Sequence, residues 1–105
     1  MFNMSGHYKN GEFTIALYYH IDSNNAADIE AELLEIRKSN PEGKLVLDAA
    51  KVDYISSAGL RIILRLLKAE KDVKIINVKP AVYEIFDTTG FTDMMPVEKA
   101  FGNCR

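Results

Sequence analysis

The chain has few of the residues on which catalysis and cofactor binding usually depend. Its only cysteine, Cys104, excludes an internal disulfide framework and a cysteine metal cluster, and this usage is typical of a reducing compartment. His7 and His20 are the only imidazoles. No Gly-x-Gly-x-x-Gly or Gly-Lys-Ser phosphate loop occurs. We therefore expect no bound metal and no cofactor.

Basic charge and long apolar runs are also scarce. Lys and Arg number 13 against 15 Asp and Glu, which gives a formal net charge of -2, and the cations are scattered along the chain. We therefore predict no binding to nucleic acid. The start of the chain lacks the basic and apolar segments of a signal peptide, and no run is long enough to cross a bilayer. These features predict a cytoplasmic protein with no membrane association.

What the chain does contain is a regular alternation of strand and helix patterns. Its 105 residues, 48% of them hydrophobic, suit one core, so we expect a single domain over residues 1–105. The turn signal Asn10-Gly11 precedes an alternating strand at residues 13–19 and gives it a hairpin partner within residues 1–8. The apolar runs "KLVLD" and "DVKIINV" predict buried strands. The fold class is α/β, with a mixed β-sheet of about four or five strands and helices packed against it.

The helices can be placed from their apolar spacing and end signals. Pro80 is expected to open the third helix, and Thr88, Thr89 and Gly90 to end it. A last strand is expected near residues 94–97, followed by a helical turn. The core-facing residues predicted for the first helix are Ala26, Ile29, Leu33 and Ile36. Those predicted for the second helix are Leu60, Ile63, Leu64 and Leu67.

Two loops, "HIDSNN" and "DYISSAG", follow predicted strands and precede predicted helices. In open α/β sheets such loops lie side by side beyond the carboxyl ends of the strands, where functional crevices occur. A His20/Asp22/Ser57 triad can be written, but it has no spacing signature, and a strand-end histidine is favoured. A His20-x-Asp22 metal pair lacks further ligands at a recognisable spacing.

Two adjacent serines stand directly before the second helix, and two interpretations of them are compatible. A serine in this position commonly caps the exposed amides of a helix start. The same amides and the helix dipole stabilise negative charge, so a phosphorylated serine would be accommodated at low cost. Ser56 and Ser57 are therefore candidates both for capping and for accepting a phosphoryl group.

The stretch "DYISSAGLRIIL" resembles the signature loop and helix of the STAS domains, specifically the bacterial anti-sigma factor antagonists. The resemblance covers nearly the entire chain. "HIDSNNA" is similar to the family's loop before the first helix, "KLVLDAAKVDYI" to its central strand and approach, and "PAVYEIFDTTGF" to its third helix and the turn after it.

The resemblance implies a regulator that is not an enzyme and that works by partner exchange. Ser57 matches the phosphorylated serine, two residues before the motif glycine, and Asp22 matches the acidic residue of the first loop. The implied partners are an anti-sigma factor serine kinase and a phosphoserine phosphatase, and we expect a monomer or weak dimer. The implied partner-binding residues are Asp22, Ser23, Asn24, Tyr54, Ser56, Ser57, Ala58, Gly59, Leu60 and Arg61.

Three positions depart from the family's commonest pattern and leave alternatives open. Tyr19 and His20 stand where a glycine and a charged residue are frequent, and Ser56 replaces an aspartate. A STAS interaction module of another partner-switching or scaffold system, or part of a larger protein, is the alternative within the fold. A small hydrolase or nucleotide-binding enzyme is the alternative from a different class, and the absent motifs disfavour it.

Overall fold

The computed structural model describes residues 4–70 and 72–100. Within them, none of the helices is long and apolar enough to pass through a bilayer. In chain order the elements are β1 (Gly6–Lys9), β2 (Glu12–Ala16), β3 (His20–Ile21), α1 (Ala26–Ser39), β4 (Lys44–Asp48), β5 (Tyr54–Ile55), α2 (Ser57–Ala69), β6 (Val73–Val78), α3 (Pro80–Thr88), α4 (Phe91–Met94) and β7 (Val97–Lys99).

The main sheet has five strands in the order β1-β2-β4-β6-β7. The strand β1 runs antiparallel to β2, while the pairs β2/β4, β4/β6 and β6/β7 are parallel. The strands β3 and β5 form a separate parallel pair. Helical crossovers join the parallel strands, because the chain has to return to the same end of the sheet before the next parallel strand begins. The predicted mixed α/β sheet in a single domain is confirmed.

The first hairpin follows from its two turn residues. Asn10 and Gly11 both have positive φ, 52° and 81°, which is the backbone of a two-residue turn whose twist matches the flanking strands. The strand β1 then pairs with β2 from Gly6 opposite Ile15 to Lys9 opposite Glu12. The expected hairpin partner is confirmed over residues 6–9.

The core is centred on β4, as its unbroken apolar run predicts. Leu45, Val46 and Leu47 are all buried, so both faces of this strand are covered. The helix α1 buries Ala26, Ile29 and Leu33 and half-buries Ile36, which confirms its predicted face.

The helix α2 turns a slightly different face to the core from the one predicted. Ile63 is buried as expected, but the predicted Leu60, Leu64 and Leu67 are only half-buried. The fully buried residues of this helix are Gly59, Ile62, Ile63 and Leu66. These lie at positions i, i+3, i+4 and i+7 counted from the glycine, so the buried stripe begins at a residue that carries no side chain.

The strand expected at residues 94–97 is placed incorrectly by the sequence pattern. Met94 ends the short helix α4, and the strand β7 begins at Val97. The reason is the contact of Phe91 with Phe86, with ring centroids 5.6 Å apart, which buries Phe91 and favours a helical turn directly after Gly90. The predicted terminal helical turn and Cys104 lie outside the described residues.

Candidate functional site

The two candidate loops begin side by side at one end of the sheet. The short strands that lead into them are paired, with His20 opposite Tyr54 and Ile21 opposite Ile55. The backbone N–H of Ser56 donates a hydrogen bond of 2.9 Å to the carbonyl of Ile21. The predicted adjacency of the Asp22 loop and the Ser57 loop is therefore confirmed.

The two serines of the second loop do different things. Ser56 is the N-cap residue of α2, and its half-buried Oγ accepts a hydrogen bond of 3.4 Å from the backbone N–H of Gly59. Ser57 is the first residue of the helix and is exposed. Across residues 4–70 and 72–100 its hydroxyl has no hydrogen-bond partner. The residue types alone had left both serines as capping candidates. The structure assigns the cap to Ser56 and leaves the Ser57 hydroxyl facing solvent.

Gly59 allows the helix start to lie directly on the strand pair. A Cβ at this position would lie 2.6 Å from Cγ1 of Ile55, 2.9 Å from Cγ2 of Ile21 and 3.0 Å from the carbonyl oxygen of Ile21. These separations are shorter than carbon–carbon van der Waals contact, so any larger residue would push the first turn of α2 outward. The glycine of the motif therefore sets the height of Ser57 above the strand pair.

The Asp22 loop is held by reciprocal hydrogen bonds between side chains and backbone. Oδ1 of Asp22 accepts from the N–H groups of Asn24 and Asn25, at 2.9 and 3.2 Å. In return, Oδ1 of Asn25 accepts from the N–H of Asp22 at 2.9 Å, and its Nδ2 donates to the carbonyl of His20. Asn25 is thus part of the site's framework. Its position directly before the first helical pattern is the signal that could have identified it, since asparagine commonly bonds to nearby backbone groups there. Ser23 and Asn24 are exposed on this loop.

Aromatic rings flank the strand pair on its exposed side. Tyr19 and Tyr54 are 55% and 52% exposed, which is high for residues of this size. The ring of Tyr18 lies 5.2 Å from that of Tyr19 and 5.3 Å from that of His20. Aromatic residues exposed in this way are enriched in protein interfaces. Tyr54 belongs to the predicted partner-binding set, and Tyr18 and Tyr19 directly precede the strand β3 that pairs with β5.

The helices that carry the two loops are joined by a bidentate ion pair. Nε and the second guanidinium nitrogen of Arg65 on α2 donate to the carboxylate of Glu30 on α1, at 2.6 and 2.9 Å. The hydrogen bond from Arg65 lowers the pKa of Glu30 below its ordinary value, although partial burial of the carboxylate opposes this effect. The same hydrogen bond raises the pKa of Arg65. The pair therefore links α1 and α2 directly through side chains.

The catalytic and metal alternatives find little support in this geometry. His20 lies near Asp22, with Nε2 3.8 Å from Oδ2, but the structure gives it no hydrogen bond to Ser57 within the described ranges. Over those same residues, no three His, Cys, Asp or Glu side chains are grouped so that they could hold a metal ion. The triad geometry that a Ser/His/Asp hydrolase requires is therefore not formed.

The loop pair, the buried glycine and the mixed sheet together define the class of protein. The chain belongs to the STAS domain family, whose sequence model matches residues 8–104. Over 81 residues it is 40% identical to a candidate anti-sigma factor antagonist, BtrV, of Bordetella bronchiseptica, and the match covers 73% of this chain and 69% of that protein.

Solved structures of similar proteins share the fold. An anti-sigma factor antagonist from Mycobacterium paratuberculosis superposes with a TM-score of 0.80 at 18% identity, over 96% of this chain and 88% of that one. The anti-sigma factor antagonist SpoIIAA, solved in its unphosphorylated form, gives a TM-score of 0.68 at 14% identity, over 90% and 86% of the two chains. At these identities the likeness concerns the fold.

Proposed function

We propose that this chain is an anti-sigma factor antagonist that binds a serine-kinase-type anti-sigma factor and is controlled by phosphorylation of Ser57. The observation that carries the proposal is the division between the two serines: Ser56 caps the helix, while Ser57 is exposed with an unpaired hydroxyl within the part of the chain described. The 40% identical relative from Bordetella bronchiseptica, a candidate anti-sigma factor antagonist by name, supports the same function.

The proposed reaction takes place on the antagonist, with the kinase as the enzyme. The Oγ of Ser57 attacks the γ-phosphorus of ATP, the bond from that phosphorus to the ADP oxygen breaks, and the hydroxyl proton passes to a base of the kinase. The kinase supplies Mg²⁺ and ATP as well, because this chain has no phosphate-binding glycine loop. A phosphoserine phosphatase would restore the hydroxyl by hydrolysis.

The proposed docking surface consists of the two loops and the aromatic rings beside them. On the first loop, hydrogen bonds join Asp22 to Asn24 and Asn25 on either side of Ser23, so little order has to be gained on binding. Tyr54 and Ser57 offer exposed side chains next to them.

Since the phosphoryl donor is ATP, we place this exchange in the cytoplasm. We propose that the antagonist is a monomer or weak dimer.

The test is phosphorylation by the cognate kinase, recovered with the protein by pull-down from native lysate. Wild type, Ser57→Ala and Ser56→Ala are incubated with that kinase and labelled ATP. We expect wild type and Ser56→Ala to be labelled and Ser57→Ala to stay unlabelled. Ser56→Ala is the matched control, because it removes a neighbouring hydroxyl and keeps the exposed one.

Two results would count against the proposal. Equal labelling of wild type and Ser57→Ala would move the modified residue elsewhere. Recovery of partners that include no kinase, together with an absence of labelling, would indicate a STAS module of a scaffold system instead.

A further inference from the structure

Arg61 differs from the other arginines of residues 4–70 and 72–100 in having no carboxylate partner. Arg65 forms its bidentate pair with Glu30, and Arg37 forms a bidentate pair with Glu70 at 3.0 and 2.9 Å. Arg61 is exposed, and no hydrogen bond or ion pair to it occurs among the described residues. A guanidinium that is left unpaired is available to an anion that the unmodified chain does not itself supply.

The spacing along α2 identifies where that anion would be. Ser57 is the first residue of the helix, and Arg61 follows four residues later, so the two side chains lie on one face about one turn apart. An acidic group four residues before a basic one is the favoured order for such a pair. The helix α2, "SAGLRIILRLLKA", has no acidic residue, so no carboxylate on the same helix competes for Arg61.

The carboxylate of the neighbouring loop is already engaged. Oδ1 of Asp22 accepts two backbone hydrogen bonds from its own loop, and Oδ2 lies 3.8 Å from Nε2 of His20. Among the described residues, Asp22 forms no ion pair with Arg61 in the unmodified state. Next to a dianionic phosphate on Ser57, it would add repulsion that a cation at Arg61 offsets.

We propose that Arg61 holds the phosphate of phosphorylated Ser57 through an intramolecular, charge-assisted pair along the first turn of α2. This inference rests on the proposed function, since it specifies how a phosphate added at that site is bound. The guanidinium fork matches two phosphate oxygens, which a point charge cannot do as well. Phosphorylation then changes the docking surface twice, because it replaces a neutral hydroxyl and also engages the unpaired cation of Arg61.

The experiment measures the charge state of the phosphate directly. Phosphoserine is inserted at position 57 during protein synthesis, so no kinase is required, and the phosphate is titrated by ³¹P NMR at low ionic strength. Variants Arg61→Gln, Arg61→Lys and Lys68→Gln are compared with the wild-type background. Lys68→Gln is the matched control, since it removes an exposed cation from the last turn of the same helix.

The expected result follows from the preference of a cation for the dianion. Arg61→Gln should raise the titration midpoint of the phosphate by roughly 0.4 pH unit, as expected for an exposed pair at this spacing. Arg61→Lys should restore part of the difference and Lys68→Gln should leave the midpoint unchanged. High salt should remove most of the effect.

Equal midpoints in the wild-type background and Arg61→Gln would overturn the inference. They would indicate that the helix amides alone stabilise the phosphate. An equal shift in Arg61→Gln and Lys68→Gln would also overturn the inference, since it would show a general effect of net charge. Because the phosphate is inserted without a kinase, either result is independent of whether a cellular kinase modifies Ser57. The labelling experiment answers that separate question.

Discussion

At the residue scale, the site depends on three small residues whose roles are set by their neighbours. The Ser56 hydroxyl is occupied by capping, so the Ser57 hydroxyl can react without exposing the helix start. Gly59 brings that start within contact of the strand pair. The motif therefore has a packing role in addition to the phosphorylation proposed for Ser57.

Gly59→Ala tests the packing role. In an ordinary exposed helix this change stabilises by about 1 kcal/mol, because alanine is the better helix former. Here the new methyl group would lie against Ile55 and Ile21, so we expect a net loss of about 1–3 kcal/mol in the free energy of unfolding. Urea unfolding of both proteins measures the difference. Unchanged or higher stability would show that the helix start has room that the structure does not give it.

At the element scale, the two helices that begin at the candidate loops are joined by an ion pair. The helix α1 continues from the Asp22 loop and α2 from the Ser57 loop, and the Glu30–Arg65 pair joins them. Since the pair is partly exposed, its contribution is modest and depends on salt.

The pair should make stability depend on pH in a defined direction. The pKa of Glu30 is lowered in the folded state, so the pair stabilises fully above the ordinary pKa of a glutamate and the effect is lost as pH falls through the lowered value. Glu30→Gln should therefore unfold at lower urea than wild type at neutral pH, and the two midpoints should converge in acid.

Glu35→Gln is the control for this prediction. Glu35 lies exposed on the same helix, and within the described residues it forms no ion pair. Its removal should shift the midpoint less than that of Glu30 at neutral pH. A gap between wild type and Glu30→Gln that persists undiminished in acid would show that the ion pair is not its cause.

At the scale of the whole molecule, the proposed phosphorylation site lies outside the core. Ser57 is exposed, while the buried interior is built from the parallel strands and the inner faces of the helices. A phosphate of about -1.5 to -2 charges at a helix start is electrostatically favoured there. In an interface that is formed around a neutral hydroxyl, the same charge would be unfavourable, because it would lie beside the carboxylate of Asp22.

Phosphorylation of Ser57 should consequently weaken kinase binding without unfolding the domain. We expect about a hundredfold loss of affinity, equivalent to about 2.7 kcal/mol, with little change in melting temperature. Titration against the kinase and a thermal melt of both forms measure the two quantities. A large fall in melting temperature would point to a folding effect, and an unchanged dissociation constant would contradict the switch. Ser57→Asp should lose binding only in part, since a carboxylate carries less charge.

Most of the fold could be predicted because its signals are local. The turn at Asn10-Gly11, the helix start at Pro80 and the buried run "KLVLD" each depend on a few adjacent residues, and each is found in the structure. The predictions that are wrong depend on how side chains pack against one another, which apolar spacing alone does not show. The contact of Phe91 with Phe86 moved the last strand, and the packing beneath Gly59 changed the buried face of α2.

The sequence by itself determined the order of strands and helices, the family motif and the two loops that matter, since periodicity and turn chemistry are properties of short segments. The tertiary structure decided which serine caps and which stays exposed, how closely Gly59 lies against Ile21 and Ile55, and which arginine remains unpaired. These depend on groups that are brought together only when β3 pairs with β5 and α1 packs beside α2. Hydrogen bonds and contacts between such distant segments have no signature in local spacing.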